Sequence, residues 1–238
     1  MPDKWIDKEK ILVIIPAFNE EKNIENVISS VKKEFSNCDI LVINDGSHDR
    51  TGEIAKDHGV VVINLPYNLG IGGAMQTGYR FACINNYDIA VQVDGDGQHP
   101  ADQIIKLIQV ILKGESDMAV GSRFLVNSAY KPTTSRLIGM TYFSSMLSFI
   151  LGQKITDTTS GFRAVNKKLI AFFSGTYPED YPEVEALLLL HKRGFKVKEV
   201  SVDMKERTGG KSSITPFRSI YYMVKVSLAI FINLLRKV

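Results

Sequence analysis

Short apolar runs alternate with amphipathic stretches along most of the chain, and this alternation predicts the fold. Residues 11–15 (Ile11-Leu12-Val13-Ile14-Ile15) form a continuous apolar run, followed by Pro16-Ala17-Phe18-Asn19-Glu20-Glu21 and a helical pattern reaching Phe35. The spacing then predicts strands at 39–43, 60–64, 88–93 and 117–121, with helices at 51–58, from the Gly-rich segment to Asn85, and at 102–113. Beyond Gly121 helical stretches dominate, at 135–151, 166–173 and 182–193. A strand at 195–202, a basic loop at 205–215 and a final helix at 217–236 complete the pattern. The early strands are apolar without clean polar alternation, which is the signature of a mostly parallel sheet covered on both faces. The expected class is α/β, with a Rossmann-like sheet flanked by helices and a C-terminal amphipathic helix.

Polar residues gather where these strands end. Asn19 and Glu20 follow the first, Asp45 the second, Asn68 the third, Asp94 and Asp96 the fourth, and Arg123 the fifth. In a parallel sheet these ends share one edge, where ligands bind in open α/β folds. Each residue alone reads equally well as a helix cap or an Asx-turn; their joint position favours a site. In Val93-Asp94-Gly95-Asp96-Gly97-Gln98-His99-Pro100, two carboxylates one residue apart share a face if the strand continues. Hard oxygen ligands of this kind suit Mg²⁺ or Mn²⁺, which keep few protein ligands and share the rest with substrate phosphates. Gly70-Ile71-Gly72-Gly73 opens a helix and would offer backbone N–H groups to a phosphate. It lacks both the G-x-G-x-x-G spacing and the Walker Lys-Ser/Thr, so neither a nicotinamide-binding nor a P-loop protein is indicated.

Charge changes the picture at the C-terminus. The 238 residues carry a formal charge of +3, but residues 192–238 hold 11 Lys and Arg against 3 Asp and Glu. A basic end on a mildly acidic body points to an anionic partner. Cys38 and Cys83 have no metal-ligand spacing and read as small hydrophobes in a reducing compartment. Met1–Lys10 is polar and charged, without the look of a signal peptide, and no apolar run reaches about 18 residues, the minimum for a membrane span.

Six segments, taken in order, resemble a family 2 glycosyltransferase with a GT-A fold, of the dolichol-phosphate mannose synthase type. They are Ile15–Glu20, Ile43–Ser47, Asn68–Ala74, Asp94–Pro100, Gly121–Phe124 and Thr159–Arg163. The resemblance implies nucleoside binding by Pro16, Ala17, Phe18, Glu20 and Asp45, with the Asn68–Ala74 loop, including Gly73, packed beside the nucleotide. It implies that Asp94, Asp96 and Gln98 hold the metal and diphosphate, with Asp94 also at the nucleotide and Asp96 catalytic. Arg123 matches a position meeting the acceptor's phosphate, and Asp157 with Ser160–Arg163 resembles the sugar and acceptor wall. Two departures stand out: Asn44, where two successive acids are common, and Gly95 in place of a frequent Ala. Both are expected to change little.

The implied reaction is inverting transfer of a hexose or N-acetylhexosamine from a UDP- or GDP-sugar to polyprenyl phosphate. Departure of the diphosphate needs charge neutralisation, which a divalent cation and nearby Arg or Lys supply. Arg207, Lys211 and Ser212 lie in a Gly-flexible basic loop suited to closing over phosphates; a plain surface loop is the alternative. A lipid phosphate acceptor is already anionic and needs screening, for which Arg123, Lys131 and Arg136 are candidates. A saccharide hydroxyl acceptor would instead need a carboxylate base, with Asp157, Glu183 and Glu185 available. A nucleotidyltransferase is a weaker reading, because Pro16-Ala17-Phe18-Asn19-Glu20 stands where that class carries a Gly-rich basic loop. A nucleotide-sugar-binding module without turnover is the other. The four histidines match no nucleophile pattern and read as surface or turn residues.

Residues 137–151 are too short to span a bilayer but apolar enough to lie in its interface. The helix at 217–236 places Phe217, Ile220, Tyr221, Val224, Leu228, Phe231 and Leu235 on one side and Arg218, Lys225 and Arg236 on the other. The expected organisation is a glycosyltransferase domain over 1–212 and an amphipathic helix over 213–238, peripheral at the inner face of the cell membrane. A core or dimer helix is the alternative, with a second copy or a small membrane protein as partner. No nucleic acid is expected.

Overall fold

The computed structural model describes residues 8–125, 134–204, 225–228 and 230–232, the side chains of 134–138 excepted. Within these residues the chain runs β1 (Ile11–Ala17), α1 (Ile24–Glu34), β2 (Asp39–Asn44), α2 (Thr51–Asp57), β3 (Val61–Asn64), α3 (Gly70–Ile84), β4 (Ile89–Gln92), α4 (Ile104–Leu112), β5 (Met118–Ser122), α5 (Thr134–Leu151), β6 (Arg163–Asn166), α6 (Lys167–Gly175), α7 (Pro182–Lys192) and β7 (Val197–Ser201). Seven strands form one sheet in the order β3-β2-β1-β4-β6-β5-β7.

Central β1 shows why the apolar runs lack alternation. Leu12 and Ile14 face one core with α3, α5, α6 and α7, whereas Ile11, Val13 and Ile15 face a second core with α1 and α4. Both strand faces are covered, so every position is apolar. Gly78 of α3 lies against Ile14: a Cβ there would come within 2.5 Å of the Ile14 side chain. The glycine therefore sets how closely the helix lies on the sheet.

One strand departs from the parallel expectation. β6 runs antiparallel between β4 and β5, pairing Gln92 with Arg163 and Val120 with Arg163. It is four residues long and passes directly into α6, so it offers no period to read. Its placement matters, because the segment entering β6 arrives at the same sheet edge where β4 and β5 end.

On α5, Met140, Phe143, Leu147 and Leu151 point into the core at helical spacing, while Phe149 is 89% exposed. Of the predicted last helix, 225–228 and 230–232 are helical. Val226 and Ile230 are buried in the cluster that contains Phe143 and Leu147, and Tyr142 and Ser227 hydroxyls lie 3.2 Å apart. The tail packs on the body here, and Leu228, Phe231 and Ile232 face outward. Among the described residues no helix is long and apolar enough to cross a membrane.

Candidate active site

The turns after β1 and β2 are knitted into one layer. The Asn19 N–H donates to Ser47 Oγ (3.0 Å), the His48 N–H to Asn19 Oδ1 (2.9 Å) and the Glu20 N–H to Thr51 Oγ1 (2.8 Å). Asn19 takes φ 55°, a left-handed conformation that Asn tolerates. Phe18 projects from this layer, 41% exposed, with its ring edge-on to His48. Pro16 and Ala17 end β1 beneath it.

Asp45 is buried, and its carboxylate accepts the N–H groups of Leu69 (2.7 Å) and Gly70 (2.9 Å). It thus satisfies donors at the start of α3, a cap worth about 1 kcal/mol. Asn68 Oδ1 also accepts from Gly70 (2.9 Å). Gly46, at φ 68°, lets this loop approach: a Cβ there would lie 2.6 Å from the Asn68 nitrogen. The glycines of α3 have packing reasons of their own. A Cβ on Gly72 would meet the Pro178 and Glu179 carbonyl oxygens at 2.4 Å, and one on Gly73 would meet Leu69 at 2.5 Å.

Asp94 and Asp96 lie just past β4, both half-buried. Asp94 is held from three sides. Its N–H donates to His99 Nδ1 (2.9 Å), Gln92 Nε2 donates to its Oδ1 (3.0 Å), and His99 Nε2 lies 3.6 Å from its Oδ2. His99 is buried and stacked on Phe162, with ring centroids 4.9 Å apart. This corrects the surface reading of that histidine; only the fold brings residue 99 back under residue 94. Gly161 closes the fourth side: a Cβ would lie 2.8 Å from Gln92 Nε2 and 3.0 and 3.2 Å from the Asp94 carboxylate oxygens. Asp96 Oδ1 accepts the Gln98 N–H (3.1 Å), with Gly97 at φ 78° between them.

Asp94 and Asp96, one residue apart on the loop after β4, offer the hard carboxylate oxygens that a divalent cation takes. Among the described residues no group of three or more His, Cys, Asp and Glu assembles around a common point. A cation at Asp94 and Asp96 would draw its other ligands from substrate and water, as Mg²⁺ and Mn²⁺ do beside phosphates.

Arg123 and Asp157 form a buried pair at the end of β5. Arg123 Nε donates to Asp157 Oδ2 (2.7 Å) and Nη2 to Oδ1 (2.8 Å), while Nη2 also reaches Thr159 Oγ1 (2.9 Å). Asp157 is fully buried. Its two oxygens orient a guanidinium, which argues against Asp157 as a free base.

Arg163 differs from its expected place in the acceptor wall. It is 2% exposed, and its guanidinium donates to three backbone carbonyls: Ser160 (2.8 Å), Pro182 (3.3 Å) and Glu183 (2.7 Å). It ties the turn before β6 to the start of α7. Ser160 is also buried, with its hydroxyl accepting the Phe162 N–H (3.3 Å). Burial pushes the Glu183 carboxyl up from its ordinary range, the Arg163 charge pulls it back, and Asp94 adds to the rise. Lys131, Arg207, Lys211 and Ser212 lie outside the described residues, as does the side chain of Arg136.

Residues 12–172 match the family described as Glycosyl transferase family 2. A UDP-N-acetylglucosamine–dolichyl-phosphate N-acetylglucosaminyltransferase of Methanococcus voltae is 33% identical, over 81% of this chain and 84% of that protein. A polyprenol monophosphomannose synthase of Mycolicibacterium smegmatis is 27% identical, over 92% of this chain and 86% of its own. Among solved structures, glucosyl-3-phosphoglycerate synthase from Mycobacterium tuberculosis, in complex with Mn²⁺, UDP and phosphoglyceric acid, superposes with a TM-score of 0.73. That likeness covers 96% of this chain and 79% of the other at 21% identity, and it speaks to the fold.

Proposed function

The chain belongs to glycosyltransferase family 2, and on that premise we propose that it moves a sugar from a nucleotide diphosphate sugar to polyprenyl or dolichyl phosphate, with inversion at the anomeric carbon. The observation that carries this reading is the pair of half-buried carboxylates, Asp94 and Asp96, where the strand ends converge. The donor's nucleoside lies along the layer formed by Pro16–Glu20 and Asp45, and its diphosphate lies at Asp94, Asp96 and Gln98. Those two carboxylates would hold Mg²⁺ or Mn²⁺, which when bound neutralises charge on the departing diphosphate. An oxygen of the lipid phosphate attacks the anomeric carbon as the bond to the nucleoside diphosphate breaks. That oxygen is anionic near neutral pH, so no carboxylate base is required. This agrees with the commitment of Asp157 to Arg123. Arg123, fixed in plane by Asp157 and Thr159, meets the acceptor's phosphate.

The acceptor implies a membrane. Phe149 on α5 and Leu228, Phe231 and Ile232 on the tail supply an outward apolar surface, and we assign it to peripheral contact with the inner leaflet. We take 1–212 as the catalytic domain and 213–238 as a membrane-facing tail, whose Val226 and Ile230 pack on the body. Phe149→Ser is expected to weaken co-sedimentation with anionic vesicles; unchanged sedimentation removes this assignment.

The test of the reaction is release of nucleoside diphosphate from a panel of nucleotide sugars. Release is expected to require polyprenyl phosphate, to stop in EDTA, and to return with Mn²⁺ or Mg²⁺. Undiminished release in EDTA would contradict the role given to Asp94 and Asp96.

A further inference from the structure

A carboxylate on β7 supports the acceptor side of the site without facing it. Glu199 pairs in register with Val120 of β5, two residues before Ser122 and three before Arg123. Its side chain reaches the 156–157 segment and accepts four hydrogen bonds. Oε1 takes the N–H of Asp157 (2.7 Å) and of Thr156 (3.0 Å), while Oε2 takes the Thr156 N–H (2.9 Å) and hydroxyl (2.9 Å). The Thr156 hydroxyl also lies 2.6 Å from Ser122 Oγ, which accepts the Phe124 N–H (3.2 Å). One carboxylate therefore clamps the backbone of the residue whose side chain grips Arg123, and it does so beside the strand from which Arg123 emerges. Hydrogen bonds from successive backbone N–H groups to one side chain are directional and well suited to fixing a turn.

We propose that Glu199 is a positioning residue for Arg123: it fixes the Thr156–Asp157 backbone, which sets the Asp157 carboxylate and hence the plane of the guanidinium that receives the acceptor's phosphate. This rests on the reading of Arg123 given above. Burial pushes the Glu199 carboxyl up and its N–H donors pull it back, as expected for a group enclosed by the segment it holds. Small misplacements of a group that aligns a reacting partner are costly in rate. The effect is confined to the acceptor, since the donor side hangs on β1, β2 and β4.

The proposal depends on reach and on acceptor oxygens rather than on charge. A Gln at 199 keeps one oxygen for the two N–H groups, and its amide can donate to a Thr156 hydroxyl turned toward Ser122. An Asp is one methylene too short, and a Leu has nothing to offer. Steady-state kinetics are measured on the full chain with polyprenyl phosphate as varied acceptor, alongside thermal melts. Glu199→Leu and Glu199→Asp are expected to raise the acceptor KM about five- to tenfold. Donor KM is expected to hold within about twofold, and Glu199→Gln to stay within about twofold of wild type throughout. Arg123→Lys, which keeps the charge but loses the fork, is the control and is expected to raise acceptor KM on its own. If Arg123→Lys raises acceptor KM while Glu199→Leu does not, the positioning role is overturned and the reading of Arg123 stands. If neither moves it, the reading of Arg123 fails and takes the proposal with it. Parallel rises in donor and acceptor KM, or a Gln variant as impaired as Leu, also overturn the proposal.

Discussion

Asp96→Asn is expected to lower turnover about a thousandfold, a loss of ~4 kcal/mol of transition-state stabilisation, with little change in thermal stability. The substitution is nearly isosteric. Asp96 uses Oδ1 to accept the Gln98 N–H at 3.1 Å, and an amide oxygen accepts it equally well, so the turn through Gly97 survives. What disappears is half of the negative charge offered to a cation. Mn²⁺ titration by electron paramagnetic resonance reads the binding loss directly and independently of activity. Gly161→Ala reaches the same ligand set from behind, since its new methyl would crowd Gln92 and both Asp94 oxygens. Displacing one ligand rather than neutralising it is expected to weaken Mn²⁺ binding about tenfold. Wild-type Mn²⁺ affinity in Asp96→Asn would remove the metal from this place.

Arg163→Met is expected to reduce stability by about 3 kcal/mol and to lower the melting temperature by roughly 6–12 °C for a chain of this size. Three backbone carbonyls, from Ser160, Pro182 and Glu183, lose a charged donor together, and a hydrogen bond to a charged group is worth about 1.5–3 kcal/mol. The loss also removes the positive charge that draws the Glu183 carboxyl down, leaving a backbone hydrogen bond alone against burial and Asp94, which raise it. A guanidinium that served the acceptor would give the opposite pattern: an unchanged melt and a raised acceptor KM. Differential scanning calorimetry with acceptor kinetics on one preparation separates the two.

The half of the molecule we propose for the donor was more legible in the sequence than the half we propose for the acceptor, for a physical reason. The proposed donor side is built from residues at the ends of successive parallel strands, and those strands announce themselves as apolar runs covered on both faces. Asp45, Asp94 and Asp96 follow such runs directly, so their shared edge can be inferred before any contact is seen. The other half is assembled by residues distant in sequence. Arg123 and Asp157 are 34 positions apart, and Glu199 meets Asp157 across 42. β6 is a four-residue strand with no period, and it alone brings Arg163 into the interior. Nothing local distinguishes a buried arginine that holds carbonyls from an exposed one that binds phosphate. His99 failed to declare itself for the same reason: its partner Asp94 is near in sequence, but it is stacked against Phe162, which arrives from the segment entering β6.

The central claim is that the strand-end carboxylates serve transfer to a lipid phosphate. It is tested most directly by the mass and acid lability of the product formed from nucleotide sugar, polyprenyl phosphate and divalent cation. The account predicts a lipid-linked monosaccharide phosphate, labile in mild acid, inverted at the anomeric carbon, formed with one nucleoside diphosphate released per sugar, and absent with Asp96→Asn. An acid-stable glycoside on a saccharide hydroxyl, with polyprenyl phosphate returned unmodified, would contradict it.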